Sequence, residues 1–214
     1  MRDNVKTYAD HGYRYPTMVR HDGKLYLTVL NGMGDGMTAA LLTSLATYAL
    51  RNARRAGLDL ADQAALADQS VFAQHRGDSH VEALLLELDL ATGDVLVVDA
   101  GSPKMMVLHD GDVIDQPLEA QFPLGMFETS DYTAQRFELQ TGDRLLIVSD
   151  GVFDASGVSN RYGDTALRRF VRRSGSLAPF QAVRSLLSDL KTFLGDADLD
   201  DDAVAVVLDW TGSR

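Results

Sequence analysis

The sequence predicts an α+β fold in which mainly antiparallel β-sheets lie between pairs of helices. Three observations predict it. Apolar runs with strand character are joined by short Asp-Gly and Thr-Gly-Asp turns, the connections of antiparallel meanders. The helical patterns come in pairs. Strands and helices do not alternate regularly, which argues against a doubly wound parallel sheet.

Lys24 to Leu30 (KLYLTVL) reads as a core strand, preceded by the hairpin signal Asp22-Gly23. The glycine-rich loop Asn31-Gly32-Met33-Gly34-Asp35-Gly36 follows. A long helix is expected from near Thr38, a residue suited to an N-cap. Leu41, Leu42, Leu45, Tyr48, Ala49 and Ala53 recur at helical spacing, and Gly57 ends the run. Asp59 is placed to cap a second helix over roughly Leu60 to Gln74. Val81 to Leu90 (VEALLLELDL) is a long apolar strand, turned by Thr92-Gly93-Asp94 into Asp94 to Asp99. Lys104 to His109, the hairpin signal Asp110-Gly111, and Asp112 to Ile114 form a further strand pair, and Thr133 to Leu139 alternates with period two. Gly142-Asp143 leads into Arg144 to Ser149 (RLLIVS), an unbroken apolar run suited to a strand covered on both faces. Helices near Thr165 to Arg173 and Pro179 to Leu194, then a strand from Ala203 to Trp210, complete the order.

The 214 residues suit a single domain, 1-214, with no visible linker, repeat or low-complexity tract. Apolar residues at 45% and charged ones at 24% exclude a disordered chain. Thirty-one acidic against 20 basic residues leave −11, which disfavours a nucleic-acid partner. The absence of cysteine excludes disulfide scaffolds, thiolate zinc sites and cysteine nucleophiles, and suits a reducing compartment. No window is long and apolar enough to cross a bilayer: Met37 to Leu50 holds several Thr and Ser and runs into Arg51, Arg54 and Arg55. The first residues lack the apolar core of a signal peptide. The expectation is a cytoplasmic domain with no membrane or nucleic-acid partner.

Three places stand out chemically. The loop Asn31 to Gly36, between a strand and a helix, offers backbone N–H groups to an anion. It differs from the dinucleotide pattern, because Gly32, Gly34 and Gly36 give G-x-G-x-G and two helices precede the next strand. The same spacing also resembles the S-adenosylmethionine loop of methyltransferases, and a plain glycine turn is the structural alternative. Asp150-Gly151 ends the most apolar strand, where a carboxylate is costly without a cation or metal beside it. In the acidic run Asp196, Asp198, Asp200, Asp201 and Asp202, mostly a solvated turn, Asp201 and Asp202 directly precede the last apolar strand. Asn31, Asp150 and Asp201 thus each stand at the end of an expected core strand. Oxygen-only donors favour hard cations, Mn2+ or Mg2+. The histidines form no spaced ligand pair, and Arg168, Arg169, Arg172 and Arg173 read as a solvated helix face, with docking of an acidic or phosphorylated partner as the alternative.

In this order the motifs resemble the metal-dependent PPM protein phosphatases, in their bacterial sporulation and stress-response branch (SpoIIE/RsbU-like), from about residue 10 to residue 210. The family's D-G-x-G-x-G-x-x-A-A segment is similar to Asn31 through Ala40, its A-G-x-P to Ala100-Gly101-Ser102-Pro103, and its P-L-G to Pro123-Leu124-Gly125. Its G-D-x-L-L-x-x-x-D-G-V is similar to Gly142 through Val152, and its closing D-D to Asp201-Asp202. The resemblance implies a four-layer α-β-β-α sandwich with two metal ions between its central sheets. It implies hydrolysis of phosphoserine or phosphothreonine by metal-bound hydroxide, on a phosphorylated regulatory protein of an anti-sigma pathway. It places the bridging metal ligand on Asn31, the ligating loop carbonyl on Gly32, and further metal ligands on Asp150 and Asp201.

Two departures accompany it. The bridging carboxylate is here an amide, Asn31, which ligates without bringing charge. The upstream aspartate falls on Tyr13, with Asp10 available only through an insertion, while Asp35 lies four residues beyond Asn31 in the same loop. A pseudophosphatase that keeps the fold as a binding module is therefore the second reading.

Overall fold

A computed structural model describes residues 15–34, 36–101, 104–157, 160–195, 197, 199 and 203–212. In chain order the elements are β1 (Tyr15–His21), β2 (Lys24–Gly32), α1 (Gly36–Arg55), α2 (Leu60–His75), β3 (Val81–Asp89), β4 (Asp94–Ala100), β5 (Lys104–His109), β6 (Asp112–Asp115), β7 (Gln135–Glu138), β8 (Arg144–Val148), α3 (Asp150–Phe153), α4 (Tyr162–Ser174), α5 (Pro179–Leu194) and β9 (Ala205–Asp209). They fall into two compact units, one within Tyr13–Ser102 and Leu118–Glu138, the other within Pro103–Pro117 and Leu139–Arg214.

The first unit is an antiparallel sheet in the order β1-β2-β3-β4-β7 with α1 and α2 on one face. Period-two alternation sends Leu30, Ala83, Leu85 and Val98 to that face, where they meet Leu42, Ala46, Leu60 and Ala64. Alanines at so many contact positions let the helices lie close to the sheet. Each fully buried leucine here contributes about 1.5–3 kcal/mol. The hairpin between β1 and β2 turns at Asp22 (φ 49°) and Gly23 (φ 74°), the mirror-image turn whose twist matches that of the strands.

The second unit is an antiparallel sheet in the order β6-β5-β8-β9. All five residues of β8 are buried, as its apolar run demands. Met106, Leu146 and Val148 pack with Phe170 of α4 and Leu186 of α5. Together the units make the α+β class with two antiparallel sheets that the sequence predicts.

The differences are local. β1 is an additional strand whose mixed sequence, YPTMVRH, carries no apolar run; its pairing with β2 creates it. α1 starts at Gly36, so Thr38 lies inside its first turn and not at the cap. α4 starts at Tyr162, ahead of the expected Thr165, because the Asp164 carboxylate accepts the Arg161 N–H at 3.0 Å and closes the first turn. Asp59 caps α2 as expected, accepting from the Asp62 N–H at 2.9 Å. No helix among the described residues is long and apolar enough to cross a membrane.

Candidate functional site

β2 ends in Asn31 and Gly32. Antiparallel register sets Asn31 opposite Glu82 and Gly32 opposite Val81. Asn31 Nδ2 donates to Glu82 Oε2 at 2.9 Å, between two half-buried side chains. A carboxylate accepts only, so this contact fixes the amide: its NH2 faces Glu82 and Oδ1 turns away from it. Gly32 is held against α1, its N–H donating to Thr43 Oγ1 at 3.2 Å. A Cβ there would lie 2.7 Å from both the Ala39 carbonyl oxygen and Thr43 Oγ1, so only glycine allows the helix this close to the strand end.

The other glycine motifs of this unit gather around the same strand ends. Ala100 pairs with Ala83 across β3 and β4. Gly101 abuts the P-L-G turn: a Cβ on it would come 3.0 Å from Pro123 Cγ and 3.8 Å from Glu82 Cγ. Val81 and Leu124 exchange both backbone hydrogen bonds, at 2.9 and 2.8 Å. Buried Asp68 of α2 anchors the turn, accepting from the Gly125 N–H at 2.7 Å and the Tyr132 hydroxyl at 3.0 Å. Burial raises the Asp68 pKa, and those two donors oppose the rise. Three segments far apart in sequence thus meet at Asn31 and Glu82.

In the second unit, β8 is closed by Ser149. Its N–H donates to the Val204 carbonyl at 3.0 Å, and its Oγ accepts from the Val204 N–H at 2.9 Å. Asp150 follows directly, half-buried, and opens the single turn of α3. Asp201 precedes Val204 by three positions and lies outside the described residues, as do Asp10, Tyr13, Asp35, Asp196, Asp198, Asp200 and Asp202. Ser102 and Pro103 of the A-G-x-P segment also lie outside them.

At the end of β2 the donors are the Asn31 amide and the Gly32 carbonyl, with Glu82 beside Asn31; at the end of β8 the donor is the Asp150 carboxylate. In each unit the donors are oxygen, the kind that suits a hard divalent cation and not a soft one. Among the described residues no three His, Asp or Glu side chains form a metal-binding group. Sequence reasoning missed Glu82, which looks like one polar residue in an apolar strand; only the pairing of β2 with β3 gives it a partner. Three of the four arginines of α4 are engaged within their own unit: Arg168 with Asp115 and the Val113 carbonyl, Arg172 with the Gly111 carbonyl, Arg173 with Asp189.

Comparison with known proteins agrees with this arrangement. Residues 21–211 match the family model of Stage II sporulation protein E. Phosphoserine phosphatase RsbP of Bacillus subtilis is 25% identical over 132 residues, which are 60% of this chain and 33% of RsbP, so the match spans about a third of that relative's length. Among solved structures, the SiaA-PP2C domain of Pseudomonas aeruginosa superposes with a TM-score of 0.80 at 19% identity, covering 92% of this chain and 80% of that one. The PP2C phosphatase domain of SpoIIE from Bacillus subtilis, solved with a fragment of its regulatory domain, also gives 0.80 at 19% identity, covering 96% of this chain and 62% of that one. These likenesses show a PP2C fold. With its glycine loop, its A-G and P-L-G segments and its capped Asp150 strand in family order over 21–211, the chain belongs to the SpoIIE family.

Proposed function

We propose that the chain is a metal-dependent phosphoprotein phosphatase, acting on phosphoserine or phosphothreonine of a regulatory protein, with 1-214 working as one phosphatase domain. Asn31, Gly32, Asp150 and Asp201 are the residues proposed to hold Mn2+ or Mg2+. The observation that carries the reading is the placement of oxygen donors directly at the ends of β2 and β8. Divalent cations bound by such donors polarise a phosphoryl group and lower the pKa of water. The chain's own part is positional. Glu82 holds the Asn31 amide so that Oδ1 is the atom left to ligate, and Thr43 holds Gly32 in place. The naming of RsbP as a phosphoserine phosphatase supports the substrate class.

The test is hydrolysis of an aryl phosphate and of a phosphoserine peptide with Mn2+, repeated with Asp150→Asn. The expected loss is at least the roughly 10–100-fold that follows removal of a group supporting a metal ligand. Unchanged turnover removes Asp150 from the reaction.

The amide at Asn31 specifically favours a second reading, a binding module of the same fold with weakened metal affinity. Calorimetric Mn2+ titration separates the two. Two tight ions per chain support the enzyme, whereas weak binding that Asn31→Asp strengthens supports the module.

A further inference from the structure

A cavity of about 530 Å3 lies within the first unit, between the C-terminal half of α1 and the outer strands β1 and β2. Its walls follow from register and helical spacing. Thr17 and Val19 of β1 pair with Thr28 and Tyr26 of β2, so they share the face that Leu30 turns toward α1. Thr47, Leu50, Arg51, Arg54 and Arg55 form one stripe of α1 above them. Arg20 and His21 border it at the end of β1, where period-two alternation gives His21 the face of Thr17 and Val19 and gives Arg20 the opposite one.

The charge is unusual for this chain. In a chain of 31 acidic and 20 basic residues, three arginines gather on one stripe of α1; among the other described arginines, Arg136 pairs with Asp94, Arg144 with Asp209 and Arg161 with Asp154, whereas Arg76, Arg169 and Arg184 form no ion pair. Among the described residues, Arg20, Arg51, Arg54 and Arg55 have no carboxylate partner. The rim carboxylate Asp22 sits 3.2 Å from His21 Nε2. Arg54 lies over the Tyr26 ring at 5.4 Å. Its pKa is lowered, by burial first and by the neighbouring Arg51 and Arg55 after Tyr26's opposing effect. The negative end of the α1 dipole favours Arg54 and Arg55.

We infer that this cavity binds a nucleotide-sized organic phosphate carrying two or more phosphate groups. Guanidinium forks match phosphate oxygens in bidentate geometry, and the three of α1 carry charge comparable to that of a nucleoside diphosphate. Thr28 offers a hydroxyl donor, the Thr47 hydroxyl donating instead to the Thr43 carbonyl at 2.8 Å, while Val19 and Leu50 offer apolar surface for the remainder of the molecule. The volume lies in the range of small-molecule sites, about 300–1,000 Å3, and exceeds what one orthophosphate fills. Neither Asn31 nor Gly32 lines it, so within this unit the cavity is distinct from the proposed metal ligands.

The experiment is calorimetric titration of ATP, ADP and pyrophosphate into the full chain in buffer stripped of metal over chelating resin, with orthophosphate and adenosine as controls. ATP and ADP are expected to bind, more weakly as salt rises. The Arg51→Gln/Arg55→Gln double variant should lose about tenfold or more in affinity, and Asp150→Asn should leave it unchanged. ATP should raise the Tm of the parent chain but not of the double variant. No binding at millimolar ATP, unchanged affinity in the double variant, loss with Asp150→Asn, or orthophosphate binding as tightly as ATP would overturn the inference. Tighter binding of an Asp/Glu-rich peptide at the same arginines would also overturn it.

Discussion

At the scale of single residues, Asn31 and Glu82 carry the most chemical consequence. An amide and a carboxylate face each other across β2 and β3 and are mutually satisfied. Asn31→Asp replaces that contact with two like charges directly opposite, which destabilises a sheet unless a cation lies between them. The metal-free variant is expected to melt below the parent, and Mn2+ to raise its Tm by more than it raises the parent's. Equal Mn2+ shifts in both proteins would exclude position 31 from cation binding. His109 gives a second residue-scale prediction. Its Nδ1 lies 2.7 Å from Asp143 Oδ1, and this hydrogen bond, against desolvation, raises the imidazole pKa above 6.5. Because the folded value is the higher one, the stabilisation is complete below about pH 6.5 and is lost as pH rises through the raised value. The Tm difference between the parent and His109→Ala should therefore be largest on the acid side of 6.5 and fade on the alkaline side. A difference that grows with pH would reverse the assignment.

At the scale of elements, a few side chains tie strands to helices. Buried Arg144 on β8 grips Asp209, its register partner on β9, through Nε at 2.6 Å and Nη2 at 2.8 Å. It also donates to the Ser174 carbonyl at the C-terminus of α4 and to the Leu177 carbonyl. Arg144→Ala leaves those acceptors orphaned and should cost about 3 kcal/mol in chemical denaturation. A loss under half that figure would mean water replaces the guanidinium. On the other sheet, Gly32→Ala forces a methyl against the α1 backbone and should cost about 1–3 kcal/mol. Much of this element scale was legible beforehand. Residues 104–109 and 179–194 form a strand and a helix at the expected positions, because apolar period and turn chemistry are local. β1 was not, since a polar edge strand takes its structure from its neighbour.

At the scale of the molecule, both units are discontinuous: the first resumes at Leu118–Glu138 after the chain has contributed β5 and β6 to the second. Such non-local pairing slows folding. Any ligand that binds only the native chain adds stability by mass action, about 2.7 kcal/mol at one hundred times its Kd. Saturating Mn2+ should accordingly raise the parent's Tm, reversibly on chelation. A Tm indifferent to Mn2+ would count against metal binding altogether.

The sequence by itself determined most of the elements, the glycine motifs and the family, because each is written in spacing along a short stretch of chain. Only the tertiary structure decided that Glu82 holds Asn31 from 51 residues away, and that Arg51, Arg54 and Arg55 meet Thr17 and Val19 around one cavity. Those meetings depend on which strand pairs with which and in what register. That choice is made by burying whole faces of a sheet, and no local pattern records it.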